Sequence, residues 1–94
     1  MDYQDGAIAM SEKLTYITLV DKPIHQLLPG EVTLEKDIQV WYIGCPGEQC
    51  GAGNLAGHTV NYDEQAKMLT VSPSILCLRC GAHYFVERNQ IRWC

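Results

Sequence analysis

The sequence predicts a mostly β domain of short antiparallel hairpins. Three observations carry that reading. Short runs rich in β-branched and aromatic residues recur between turn-forming residues. No long stretch keeps a 3.6-residue apolar period. Two cysteine pairs, Cys45/Cys50 and Cys77/Cys80, each end on a glycine, Gly51 and Gly81. Metal-binding turns have this form, because glycine permits the positive φ that closes them.

Residues 1–12 are small and polar without periodicity and read as a flexible leader, leaving 13–94 as a single zinc-binding β domain. "LTYITLV" at 14–20 reads as a strand, and "DKPIHQLLPG" at 21–30 as a proline-bounded loop with one helical turn at 24–28. "EVTLE" at 31–35 alternates, "KD" at 36–37 turns, and "IQVWYIG" at 38–44 is the strongest strand signal. After the cysteine turn at 45–51, "AGNLAG" is glycine-rich and flexible. "HTVNYD" (58–63) and "KMLTVS" (67–72) read as a hairpin, broken at "PS". "AHYFVE" (82–87) and "IRW" (91–93) form another hairpin about "RNQ". Trp41, Tyr42, Tyr84, Phe85 and Trp93 fall on these strands and read mainly as core.

Ninety-four residues bury only a modest core, so a metal would help hold the fold. The formal charge is −4, unevenly spread. Ten acids face three lysines in residues 1–66, whereas Lys67, Arg79, Arg88 and Arg92 face only Glu87 beyond them. That balance argues against general nucleic-acid affinity and leaves a small basic face near the C-terminus. The N-terminus lacks the basic and apolar regions of a signal peptide, and no apolar run approaches a membrane span. The expected compartment is the reducing cytoplasm, where grouped cysteines bind metal or react rather than form structural disulfides.

Cys45-x₄-Cys50 and Cys77-x₂-Cys80, joined by a hairpin, can face each other and supply a tetrahedral thiolate site suited to Zn²⁺. A redox-active pair fits less well, because strand-like sequence follows Cys80 where a thiol-activating helix would begin. His83 makes a fifth candidate ligand. The set is Cys45, Cys50, Cys77 and Cys80, or Cys45, Cys50, Cys80 and His83 with Cys77 packed nearby. Cys94 is the odd thiol, and His25 and His58 read as surface or hydrogen-bonding residues. Arg79, inside the second turn, either offsets thiolate charge or meets a partner.

"LTVSPSILCLRCGAHYFVERNQIRW" resembles a set of small uncharacterised prokaryotic and phage domains. Their pattern runs from a "CGCG"-like turn through "SLxPSI" and "CxxHYxI" to "VxW". The matching pieces are Cys45, Cys50 and Gly51, "TVSPSI" at 70–75, Cys80, His83 and Tyr84, then Ile91 and Trp93. With the N-terminal half included, the resemblance spans about residues 14–93. It implies a β-rich, zinc-ribbon-like fold, and some such domains lie in gene clusters with bacterial ubiquitin-like conjugation components. The first turn is opened here to "CPGEQCG", and Cys77 falls where the pattern has no cysteine. That departure shifts weight toward Cys80 and His83, and both ligand sets stay open.

The sequence therefore points to a non-enzymatic structural-zinc module that binds another protein, in a phage- or defence-related setting. The alternatives are a zinc-dependent hydrolase or deaminase, with Glu48 or Glu87 as its carboxylate, and a nucleic-acid-binding zinc ribbon. A phage-encoded mimic of nucleic acid also fits the size and charge.

Overall fold

Eight strands and one 3₁₀ turn make up the regular structure among the residues described by the computed structural model, 13–47 and 50–94. The expected leader at 1–12 lies outside them. The strands form two four-stranded sheets. The mostly β expectation is met at that level. The zinc-ribbon-like arrangement of simple hairpins is corrected, because each half of the chain builds a full sheet with its own inward face.

The first sheet contains β1 (Thr18–Leu19), β2 (Glu31–Glu35), β3 (Val40–Gly44) and β4 (Ala52–Asn54), in that order. β1 runs parallel to β2, which is possible because the loop bearing the 3₁₀ turn Ile24–Gln26 carries the chain back. β4 falls in the glycine-rich stretch read as flexible; it is held as a strand by pairing with β3, not by propensity. The second sheet is an antiparallel meander of β5 (Thr59–Asp63), β6 (Met68–Leu76), β7 (His83–Glu87) and β8 (Gln90–Trp93).

The predicted strand at 14–20 is divided between the sheets. Thr15 and Ile17 exchange backbone hydrogen bonds with Ile91 and Asn89, and Tyr16 bridges Gln90. Thr18 and Leu19 then pair with β2. Five residues thus join the outer edge of each sheet. Trp93 adds a hydrogen bond from its indole Nε1 to the Leu14 carbonyl at 2.8 Å.

The core combines Ile17, Val32, Ile43 and Leu55 with Leu69, Val71, Ile75, Tyr84, Val86 and Ile91 in one cluster. Val32, Leu69 and Val86 are fully buried, each worth about 1.5–3 kcal/mol of transfer free energy. Trp41 meets Tyr62 across the sheets, with ring centroids 5.6 Å apart.

β6 carries an irregularity in its pairing with β7. Val71 pairs with Val86 and Ile75 with Tyr84, so Ser72, Pro73 and Ser74 lie opposite Phe85 alone. Two surplus residues preserve the alternation of faces: Val71 and Ile75 both stay buried, while Pro73 is exposed. The sequence reads "PS" as the end of the strand; the bulge instead lets β6 continue through it to Leu76.

Candidate active site and metal centre

The second cysteine turn joins β6 to β7. Cys77 donates its backbone N–H to the Ala82 carbonyl, and Gly81 donates to the Cys77 carbonyl, both at 2.8 Å. Gly81 holds φ +81° and Gly51 holds φ +92°, the left-handed values that the glycine positions predict. The first turn packs tightly on the second: a Cβ at Gly47 would come 2.7 Å from the Ala82 methyl and 3.4 Å from the Cys80 sulfur.

These turns bring the sulfurs of Cys45, Cys50, Cys77 and Cys80 within 4.8 Å of one another, with Cys45 and Cys80 3.5 Å apart. A tetrahedral site with metal–sulfur bonds of ~2.3 Å needs sulfurs on the order of 3.8 Å apart, so the donor set fits a metal ion. The thiols raise and lower one another's acidity. Hydrogen bonding to Cys80, then burial, pushes the Cys50 thiol up to about 12. Burial also pushes the Cys77 thiol up, but the backbone N–H groups of Cys80 and Arg79 outweigh it and bring it down to about 7. One thiolate therefore forms easily and the last is strongly opposed, which a divalent cation would reverse. Arg79 reaches across the cluster and donates to the Cys50 carbonyl, joining the two turns.

His83 faces elsewhere. Its Nε2 lies 2.8 Å from Ser74 Oγ. Leu76 is the cross-strand partner of His83, and the bulge sets Ser74 within reach along the same face. The Cys94 N–H donates to the His83 carbonyl at 3.0 Å and steadies the start of β7. Among the described residues no carboxylate pairs with the His83 ring. Glu87 lies at the opposite end of β7, 3.1 Å from Arg92, and Glu48 lies outside the described residues.

The spacing is symmetric. Ser74 precedes Cys77 by three residues, and His83 follows Cys80 by three. The cysteine turn thus holds the two strand ends that carry the serine–histidine pair. A cleft of about 230 Å³ lies between β4 and the second cysteine turn, lined among others by His58, Ile75, Leu76 and Leu78 but not by Ser74 or His83. His58 hydrogen-bonds the Ser74 carbonyl through Nε2 at 3.2 Å. Its expected hydrogen-bonding role is met, with a backbone carbonyl as partner. Sequence reasoning did not assign Ser74. The signal was available, since "SPSI" and "CxxHY" both belong to the pattern that the chain resembles.

The model of a family described as "Bacterial ubiquitination-like system serine protease (BubE)" matches residues 19–94. No curated protein and no solved structure matches the chain. The family match corrects several expectations. The resemblance to a generic zinc-ribbon-like family gives way to this specific one, which is itself part of the conjugation-like system and not merely its neighbour. The non-enzymatic module acting only through protein contact is overturned, because the family is one of proteases. Of the readings weighed from sequence, the hydrolase stands nearest, with serine as the family's named nucleophile.

Proposed function

The chain belongs to the bacterial ubiquitination-like system serine protease family, and from that membership we propose that it hydrolyses the bond joining a ubiquitin-like protein to its leaving group, with Ser74 as nucleophile and His83 as general base. The observation that carries the assignment is the 2.8 Å contact between Ser74 Oγ and His83 Nε2. That distance is within the range for proton transfer from hydroxyl to imidazole. With the His83 proton on Nδ1, Nε2 accepts the Ser74 hydroxyl proton as Oγ bonds to the scissile carbonyl carbon. The imidazolium returns that proton to the departing amine or alkoxide as its bond to carbon breaks. Water then attacks the acyl–serine, gives a proton to Nε2, and releases the carboxylate product and the Ser74 hydroxyl. The arrangement is a dyad among the described residues.

Cys45, Cys50, Cys77 and Cys80 hold one Zn²⁺ in this reading, which the all-thiolate donor set favours. When bound, the ion supplies cross-linking and neutralises the thiolates. The chemistry belongs to Ser74 and His83, which are positioned by the clamped turn. Protein substrates suit the site, because His83 is exposed and its cross-strand partner Leu76, with Leu78 in the turn beyond, presents exposed apolar surface. The test is cleavage of a ubiquitin-like conjugate by Ser74→Ala and His83→Ala. Each should lose activity by about 10⁴-fold or more with metal content and melting temperature unchanged. Wild-type cleavage rates in both would refute the assignment.

A further inference from the structure

The outward face of the second sheet carries more than the serine–histidine pair. Residues directly opposite on paired strands share a face, and so do residues two apart on one strand. Ser74 meets His83 on this face, and Phe85, two residues beyond His83, lies on it as well. Arg92 is the cross-strand partner of Phe85, and its guanidinium lies over the Phe85 ring, 4.8 Å from the centroid. Ser72, Pro73 and Ser74 have Phe85 alone opposite them. Ser74, Phe85 and Arg92 therefore form one row across β6, β7 and β8, with the half-buried ring in the middle.

The guanidinium is open to a ligand. The Arg92 side chain is 62% exposed. Among the described residues it gives one N–H, from Nη2, to Glu87 at 3.1 Å. That ion pair is exposed on both sides, so it contributes little. Stacking on the ring covers one face of the guanidinium and leaves its in-plane N–H groups uncovered. A planar fork of donors matches a carboxylate. Residues 67–94, with four cations against Glu87, supply a field of the matching sign.

The direction of the substrate follows from the chemistry. The imidazolium protonates the leaving group, so the leaving group lies on the His83 side of Ser74. The acyl portion then passes over Phe85, the other neighbour of Ser74 in this row. Two strand spacings of about 4.8 Å separate β6 from β8, which an extended chain covers in about three residues. Resting on the serine-protease reading, we propose that Arg92, backed by Phe85, is a specificity-determining residue: it pairs with an acidic side chain of the substrate within about three residues before the scissile bond.

The test uses tetrapeptidyl diphenyl phosphonates, which form a covalent bond to an active serine and present acyl-side residues alone. Asp is compared with Asn at each position preceding the phosphonate unit, and the reading is the ratio of the two Ser74 labelling rates within one protein. In wild type, Asp at one of these positions should label about 5-fold faster than Asn. Arg92→Ala should bring that ratio to one, and Arg92→Glu should reverse it, so that Lys at the same position outpaces Asp. A ratio near one at every position in wild type, or a preference for Asp that survives in Arg92→Ala, would overturn the role of Arg92 alone. A simple alkyl fluorophosphonate, which carries no side chain to recognise, tests the nucleophile separately. If it leaves wild-type Ser74 unlabelled, the serine-protease reading falls, and this proposal with it. If Arg92→Ala does not fold, Arg92→Gln takes its place, with the same expected ratio and the same refutation.

Discussion

The cysteine clamp and the serine–histidine pair share one turn of chain, yet their physical settings are opposite. Cys45 is buried at 6% exposure, and its sulfur lies among three others. His83 is exposed, and its ring hydrogen-bonds the Ser74 hydroxyl. The clamp gathers the four sulfurs of one buried and three half-buried cysteines, and the pair stands where a protein substrate can reach it. Rigidity and access conflict at any single residue, and this fold separates them by three residues on each strand. Removing a ligand should therefore damage both regions, whereas removing the nucleophile should damage only one.

The largest effect is expected from Cys45→Ser. Structural thiolate sites contribute about 10 kcal/mol or more to folding, which is comparable to the whole stability of a small domain. The variant should lose its metal, its melting transition and its activity together, as read by elemental analysis, circular dichroism and conjugate cleavage. A folded, active Cys45→Ser protein would separate the clamp from the fold. Ser74→Ala comes next and sharpens the contrast, because it should lose activity and keep everything else.

A third change probes the far end of the second sheet. Asn89 adopts φ +68° in the β7–β8 turn, accepts the Leu69 N–H at 2.7 Å and donates to the Lys67 carbonyl at 3.0 Å. Leu69 is fully buried, so Asn89→Ala strands its N–H at a cost of about 1–3 kcal/mol. Denaturant titration should show that loss while metal stoichiometry and catalysis remain intact. The smallest effect belongs to the first sheet. Glu31 is held below the usual carboxylate range by hydrogen bonds from Lys22, at 2.6 Å, and then from the Leu28 N–H. A lowered folded-state value contributes stability above the unfolded pKa and loses it as pH falls through the folded one. Glu31→Gln should therefore be slightly less stable at neutral pH and converge with wild type in acid. A gap that widened in acid would contradict this.

The cysteines were legible in the sequence because their chemistry is local: residue type, spacing and a following glycine specify each turn. The hairpins that begin with β5 (Thr59–Asp63) and β7 (His83–Glu87) were legible for similar reasons. Ser74 stood in the "SPSI" stretch, but its contact with His83 depends on pairing register, which lies outside any local window. Pro73 reads as a strand terminator, and only the two-residue surplus opposite Phe85 shows that β6 continues and aims Ser74 at His83. β4 was hidden by its glycines, and the segment at 14–20 by its division between two sheets. His83 was read as a metal ligand or a hydrogen-bonded strand histidine, since Cys80-x-x-His83 satisfies ligand spacing; its ring nitrogen instead meets Ser74 Oγ across the strand pair, a contact that spacing alone does not show.

Mapping of a fluorophosphonate adduct by mass spectrometry, on the metal-loaded protein and after chelation, tests the central claim most directly. The account predicts a single adduct on Ser74 in the metal-loaded chain, its loss in His83→Ala, and its loss on chelation as the clamped turn comes apart. An adduct on another serine, or labelling of Ser74 that is indifferent to both His83 and the metal, would contradict it.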